Sequence, residues 1–133
     1  MDGATFLTLN PDAQRAECAS DVVMIDGWAF VSGVAPVDLH NDKAPIPELV
    51  EDQTKRIFSN VKELLGTARL GLEHVVSVRI YVAEYKRFHE RIDRVYARHF
   101  PDGRKPARTM IGVSNLTRGA LIEMDFVARK SGN

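Results

Sequence analysis

Arg108, in the stretch KPARTMIGV, and Glu123, in ALIEMDFVAR, are the two residues whose types and placement point most directly to chemistry. A guanidinium presents a planar fork of N–H donors that matches a carboxylate bidentately, so Arg108 is a candidate clamp for a small carboxylic acid. The structural reading is that Arg108 and Glu123 pair with each other, and the functional reading is that Arg108 awaits an anionic ligand. An ionised group left unpaired in partly desolvated surroundings costs several kcal/mol, so each of the two needs a partner.

The remaining reactive residue types carry less. His40, His74, His89 and His99 do not have metal-ligand spacing and read as surface or helix-capping residues, with no metal. The lone Cys18 has no base identifiable near it and reads as an incidental thiol. RHFPDGRKPAR gathers Arg98, Arg104, Lys105 and Arg108 beside His99, but Phe100 is its one aromatic residue, which fits a solvated loop better than a phosphate-contacting one. Across the 133 residues, 18 basic and 18 acidic side chains cancel, so nothing in the overall balance favours nucleic acid or an anionic membrane as partner. The length allows one domain, residues 1–133, and a hydrophobic fraction of 44% allows a packed core. With no basic and apolar leader at the N-terminus and no long apolar run, the expected location is the cytoplasm.

The elements that must hold Arg108 and Glu123 follow from periodicity. Asp26-Gly27 between apolar β-formers predicts a hairpin over residues 21–33, and the three prolines of VAPVDLHNDKAPIP predict a surface loop after it. Apolar residues at steps of three and four from Glu48 to Ala68 predict a long helix, with Gly71 as its better stop. EHVVSVRIYVAEY alternates, placing Val76, Val78, Ile80 and Val82 on one side of a strand and Val75, Ser77, Arg79 and Tyr81 on the other. Phe88, Ile92, Val95, Tyr96 and Phe100 predict a second helix that Pro101 and Gly103 end. RTMIGV and ALIEMDFVAR are two further strands joined by SNLTRG, and FLTL is a candidate first strand.

The order β-ββ-α-β-α-ββ gives two helices for one mixed sheet. One sheet face is then covered and the other has nothing in the chain to cover it, although apolar residues such as Leu121 and Val127 fall on that side. Uncovered apolar patches mark interfaces, so a homo-oligomer is expected. Alternation places Arg108 with Met110 and Gly112, opposite Thr109, Ile111 and Val113, and predicts that Arg108 and Glu123 share the uncovered side.

ARTMIGVSNLTRGALIEMDFVA resembles the signature of the reactive-intermediate deaminase (Rid; YjgF/YER057c/UK114) family, in Ala107-Arg108-Thr109, Leu116 and a Glu fifteen residues after the Arg. FVSGVAPVD, DQTKRIFSNVKELL and VVSVRIYV resemble the family's Ser-Gly turn, long helix and following strand, in the family's order, so that residues about 20 to 129 are covered. The resemblance implies an α+β, chorismate-mutase-like (bacillus type) mixed β-sheet with two helices on one face, assembled as a homotrimer with a central β-barrel and clefts between subunits. It implies hydrolysis of reactive enamines and imines (2-imino acids) to 2-keto acids and ammonia, without a cofactor. Arg108 would clamp the substrate carboxylate and Glu123 would hold or activate the attacking water. Ser32, Gly33 and the backbone at Met110 would contact the substrate, and Phe88 and Asp93 would belong to the same shell.

The family pattern is departed from at Ala19, where a Tyr is usual, at Met110 for Cys, at Val34 for Gln and at Asp93 for Asn. These changes alter the contact shell, and Asp93 would suit an amino or imino group. Alternative readings are a 2-aminomuconate-type deaminase of aromatic degradation, a trimer that binds a small carboxylate without turnover, and RNA cleavage of the kind attributed to some family members.

Overall fold

The computed structural model describes residues 3–131. Thr5–Leu7 forms a short strand, β1, that pairs antiparallel with β2, Val22–Ile25. Asp26 and Gly27 take φ of 51° and 81°, which closes a two-residue turn of the expected kind onto β3, Trp28–Val34. The proline-bearing loop follows, then the long helix α1, Val50–Thr67. β4 is Val75–Val82, the second helix α2 is Tyr85–Tyr96, and β5 (Ala107–Gly112) and β6 (Ile122–Arg129) close the chain. The six strands lie in the order β1-β2-β3-β6-β4-β5, so β6 enters the middle of the sheet and β5 becomes an edge, parallel to β4. The chain thus has the mixed sheet and two helices that the periodicity predicts. No helix is long and apolar enough to cross a membrane among the described residues.

The core lies between the sheet and the helices. Ile57, Phe58, Val61 and Leu65 of α1 and Phe88, Ile92 and Tyr96 of α2 pack on Val31, Val78, Ile80, Met124 and Phe126 of the strands. Three polar side chains of α1 are buried with them, and all are hydrogen-bonded, as burial requires: the Thr54 hydroxyl donates to the Val50 carbonyl at 2.7 Å. Asn60 Nδ2 donates to the carbonyls of Ala35 (3.1 Å) and Val37 (2.8 Å), and Gln53 donates to the Pro47 carbonyl while its Oε1 accepts the Leu121 N–H at 2.8 Å. The loop after β3 and the entry to β6 are therefore pinned to one helix.

Four local expectations change. The long helix stops at Thr67 rather than near Gly71, because Arg69 adopts φ 61° and lets Leu70 N–H reach the Leu65 carbonyl, a Schellman-type close with Arg in the place glycine usually fills. In β4 a bulge between Val75 and Ser77 breaks the alternation, so Val75 joins Val78, Ile80 and Val82 in the core and Val76 is left exposed. α2 ends at Tyr96, a turn before Phe100, which still packs in the core.

The fourth change concerns the site. Arg108 is level with buried Val78 and Met110 with buried Ile80, whereas Glu123 is level with Tyr81, which in turn is level with Ile111. Neighbours in register point to the same side, so Arg108 and Met110 are on the helix side and Glu123 is on the uncovered side. The expectation that Arg108 and Glu123 share a face is overturned. On the edge strand, Met110 is partly buried and packs against the core, and Ile111 stays 45% exposed. The charge at Arg108 is tolerated on the helix side because α2 supplies Asp93 and the Tyr96 ring at that point.

Candidate active site

Glu123 stands on the middle strand of the sheet against a backbone irregularity that makes room for it. The pairing of β3 with β6 shifts between Val31 and Val34, which sets Ser32 and Gly33 in a bulge. A methyl group on Gly33 would collide with the Glu123 carboxylate, so only glycine permits that approach. Ser32 donates its hydroxyl to the Ser20 carbonyl and its N–H to the Asp21 carbonyl at 3.0 Å. The Asp21 carboxylate, itself buried, accepts the Leu9 N–H at 2.9 Å and Arg15 Nε at 3.1 Å. The segment before the hairpin is thereby fastened beside the bulge, and together they wall a cavity of about 880 Å³ that Ala19, Ser32, Gly33 and Glu123 line.

The electrostatics of Glu123 are those of a group held ready. No side chain or N–H among the described residues is bonded to its carboxylate. Burial, and secondarily the charge of Asp125, pushes its carboxyl up from the ordinary carboxylate range. Asp125, on the same face, accepts hydrogen bonds from Arg79 Nε (2.9 Å) and the Tyr81 hydroxyl (2.8 Å).

Arg108 occupies a second, smaller cavity of about 280 Å³ with Asp93, Tyr96, Ala97, Lys105 and Pro106. Its Nη1 donates to Asp93 Oδ1 at 2.6 Å, and its guanidinium lies over the Tyr96 ring, 4.8 Å from the centroid. The Tyr96 hydroxyl is buried with no hydrogen-bond partner among the described residues, and burial pushes its pKa up to about 12, so it remains a neutral phenol. β5 is an edge strand. Because Val113 N–H bonds to the Val82 carbonyl, alternation turns the backbone groups of Arg108, Met110 and Gly112 toward the free edge.

Residues 13–130 match the family model described as Endoribonuclease L-PSP. The chain belongs to that family, and its relatives place it among the Rid/YjgF/UK114 proteins. It is 32% identical over 131 residues to protein MMF1, mitochondrial, of Saccharomyces cerevisiae, with 95% of this chain and 86% of that protein covered. A RutC family protein of Saccharolobus solfataricus is 35% identical over 112 residues, covering 84% of this chain and 86% of its own length. Among solved structures, a putative endoribonuclease from Thermotoga maritima superposes with a TM-score of 0.86 at 28% identity, covering 96% of this chain and 98% of that one. The resemblance read from the sequence is thereby borne out for family and fold.

Of the predicted site residues, Ser32, Gly33 and Glu123 come together at the larger cavity, and Arg108 and Asp93 at the smaller one, with Met110 on the same strand. One chain does not bring the two groups together: Arg108 and Glu123 stand two strands apart and three residues out of level, roughly 14 Å between backbones at ordinary strand dimensions, and on opposite faces. Phe88 lies in the core, 3% exposed, beneath the Arg87 and Arg91 guanidinium groups, and lines neither cavity. Sequence reasoning did not foresee Arg15, Thr117 and Arg118 on the wall of the Glu123 cavity. Arg118 reaches it by bonding the Asp42 and Ala44 carbonyls (3.0 and 2.9 Å) from a residue with φ 60°, a link between loops that no periodicity signals. Cys18 lines the same cavity, beside Ala19.

Proposed function

We propose that this protein hydrolyses reactive enamine and imine intermediates, 2-imino acids, to 2-keto acids and ammonia, at clefts between the subunits of a homotrimer. The reading rests on one observation above the others: a half-buried carboxylate, Glu123, with a raised pKa, no protein partner among the described residues and a glycine opposite it. Such a group is costly to the fold and suited to holding water. The family supports the reading, and so does the uncovered sheet face, where Phe6 and Phe30 are 64% and 47% exposed. Because Arg108 and Glu123 diverge within a chain, they would meet over one substrate only if one copy presented Arg108 at its sheet edge to the Ser32–Gly33–Glu123 cavity of the next.

In that cleft the Arg108 guanidinium takes the substrate carboxylate, aided by the free-edge backbone at Met110. Protonated imine carbon is already electrophilic, so orientation and a base suffice. The water oxygen bonds to C2 as its proton passes to Glu123, and the C=N electron pair settles on nitrogen to give a carbinolamine. Proton return from Glu123 to that nitrogen lets the C–N bond break as the oxygen lone pair forms C=O and the hydroxyl proton passes to Glu123; ammonia leaves with that proton as ammonium, and the 2-keto acid remains with Glu123 ionised again. A positioned base of this kind contributes about 10²–10⁴-fold.

The test is to generate imines from several amino acids with an amino-acid oxidase and follow their decay. The wild-type protein should accelerate the decay, and Arg108→Ala should lower kcat/KM by about ten- to a hundredfold, the worth of a charged hydrogen-bonded contact. No acceleration by wild type, or equal rates with Arg108→Ala, would contradict the reading.

A further inference from the structure

Arg108 does not wait unpaired for its ligand. Asp93 Oδ1 holds its Nη1 at 2.6 Å, while the second Asp93 oxygen has no hydrogen-bond partner among the described residues, and the Asp93 side chain is 45% exposed on the wall of the same cavity. The other cation there, Lys105, is also engaged: its Nζ donates to the Phe100 carbonyl at 2.9 Å and lies 3.5 Å from Asp102. A carboxylate arriving at Arg108 therefore meets a guanidinium whose charge is already matched, with a like charge immediately beside it. A ligand carrying its own cation on the adjacent carbon meets the opposite arrangement, in which an acid and a base side by side face a cation and an anion side by side.

We propose that Asp93 is a specificity-determining residue that selects zwitterions. The ligand gives its carboxylate to the remaining N–H groups of Arg108 and its cationic nitrogen, iminium in a substrate or ammonium in an amino acid, to Asp93. Dianionic carboxylates are disfavoured. This rests on the placement of the substrate carboxylate at Arg108 proposed above, and it sets the substrate class apart from long dicarboxylic imines such as 2-aminomuconate. In an assembled cleft the bias grows, because Glu123 adds a second carboxylate against the single clamp.

Calorimetric titration with L-alanine, pyruvate and 2-oxoglutarate compares a zwitterion, a monoanion and a dianion without requiring turnover. Wild type should bind them in that order of decreasing affinity. Asp93→Asn should tighten pyruvate and 2-oxoglutarate about tenfold, weaken L-alanine by a similar factor and so reverse the order, the scale expected for gain or loss of one close charge. Asp93→Ser, which removes the charge without an amide, should give the same reversal, and Asp93→Glu should restore the wild-type order. Arg108→Ala should weaken all three. An order unchanged by Asp93→Asn and Asp93→Ser, wild-type affinity for 2-oxoglutarate equal to that for L-alanine, or no binding of any of the three would overturn the proposal. An Asp93-dependent order without imine decay would remove the hydrolytic function and leave this selectivity standing; imine decay with an order indifferent to Asp93 would do the reverse.

Discussion

Glu123 shows how a single residue links stability and chemistry. Its carboxyl is pushed up by burial and by Asp125, so between the ordinary carboxylate pKa and the raised one the folded chain keeps a proton that the unfolded chain has released. Stability attributable to Glu123 therefore falls as pH rises through that window and stays reduced above it. Glu123→Gln should melt at a higher temperature than wild type at pH 7, and the difference should vanish in acid below the ordinary carboxylate range. Paired thermal scans at several pH values check this; a variant that melts lower at pH 7 would show that the ionised group is stabilised by something else. In turnover, wild-type kcat should fall as pH drops through the raised pKa, and Glu123→Gln should lose that limb together with most of its rate. Arg108 balances its charge differently, with Asp93 at 2.6 Å and an aromatic face below it, and so costs the fold little while unliganded.

At the scale of elements, the position of Glu123 depends on a bulge and two helix side chains. Gln53 fixes the Leu121 N–H two residues before it, Asn60 fixes the loop after Gly33, and the irregular pairing of β3 with β6 lets the Gly33 backbone lie against the carboxylate. Gly33→Ala should displace Glu123, lowering kcat by about a hundredfold or more, the lower range for losing a positioned base, with KM little changed because Arg108 is untouched. Steady-state kinetics decide between this and an unchanged kcat, which would mean that the carboxylate's position does not matter. Much of this framework is legible in the sequence. Asp26-Gly27, the α1 stripe and the Phe88–Phe100 spacing each give their element, because local turn chemistry and burial act over a few residues. Bulges are not legible in this way: the extra residue at Val76 moves Val75 into the core, against the simple alternation of the strand. The side taken by Arg108 escapes for a related reason. RTMIGV alternates equally well in either sense, and the choice is made by α2 ending where Asp93 and Tyr96 meet the edge strand, a tertiary contact outside the run itself.

For the whole molecule, the decisive feature is a site in two halves. The face opposite the helices exposes Phe6, Trp28, Phe30 and Ile111, and it also carries Glu123 with the Arg79–Asp125–Tyr81 cluster. Arg108 belongs to the other side and to the far edge. If the proposed assembly forms, burying that face and completing the cleft are one event, and a lone copy would hold two cavities with half a mechanism in each. Complementation between inactive variants tests this directly. Arg108→Ala and Glu123→Gln chains, each strongly impaired alone, are unfolded, mixed in equal amounts, refolded together and assayed for imine hydrolysis. In a ring of randomly mixed copies, a cleft with an intact Arg108 from one copy and an intact Glu123 from its neighbour arises about one time in four, so about a quarter of wild-type activity should return. Activity no greater than the sum of the two variants refolded separately would contradict a shared site between copies.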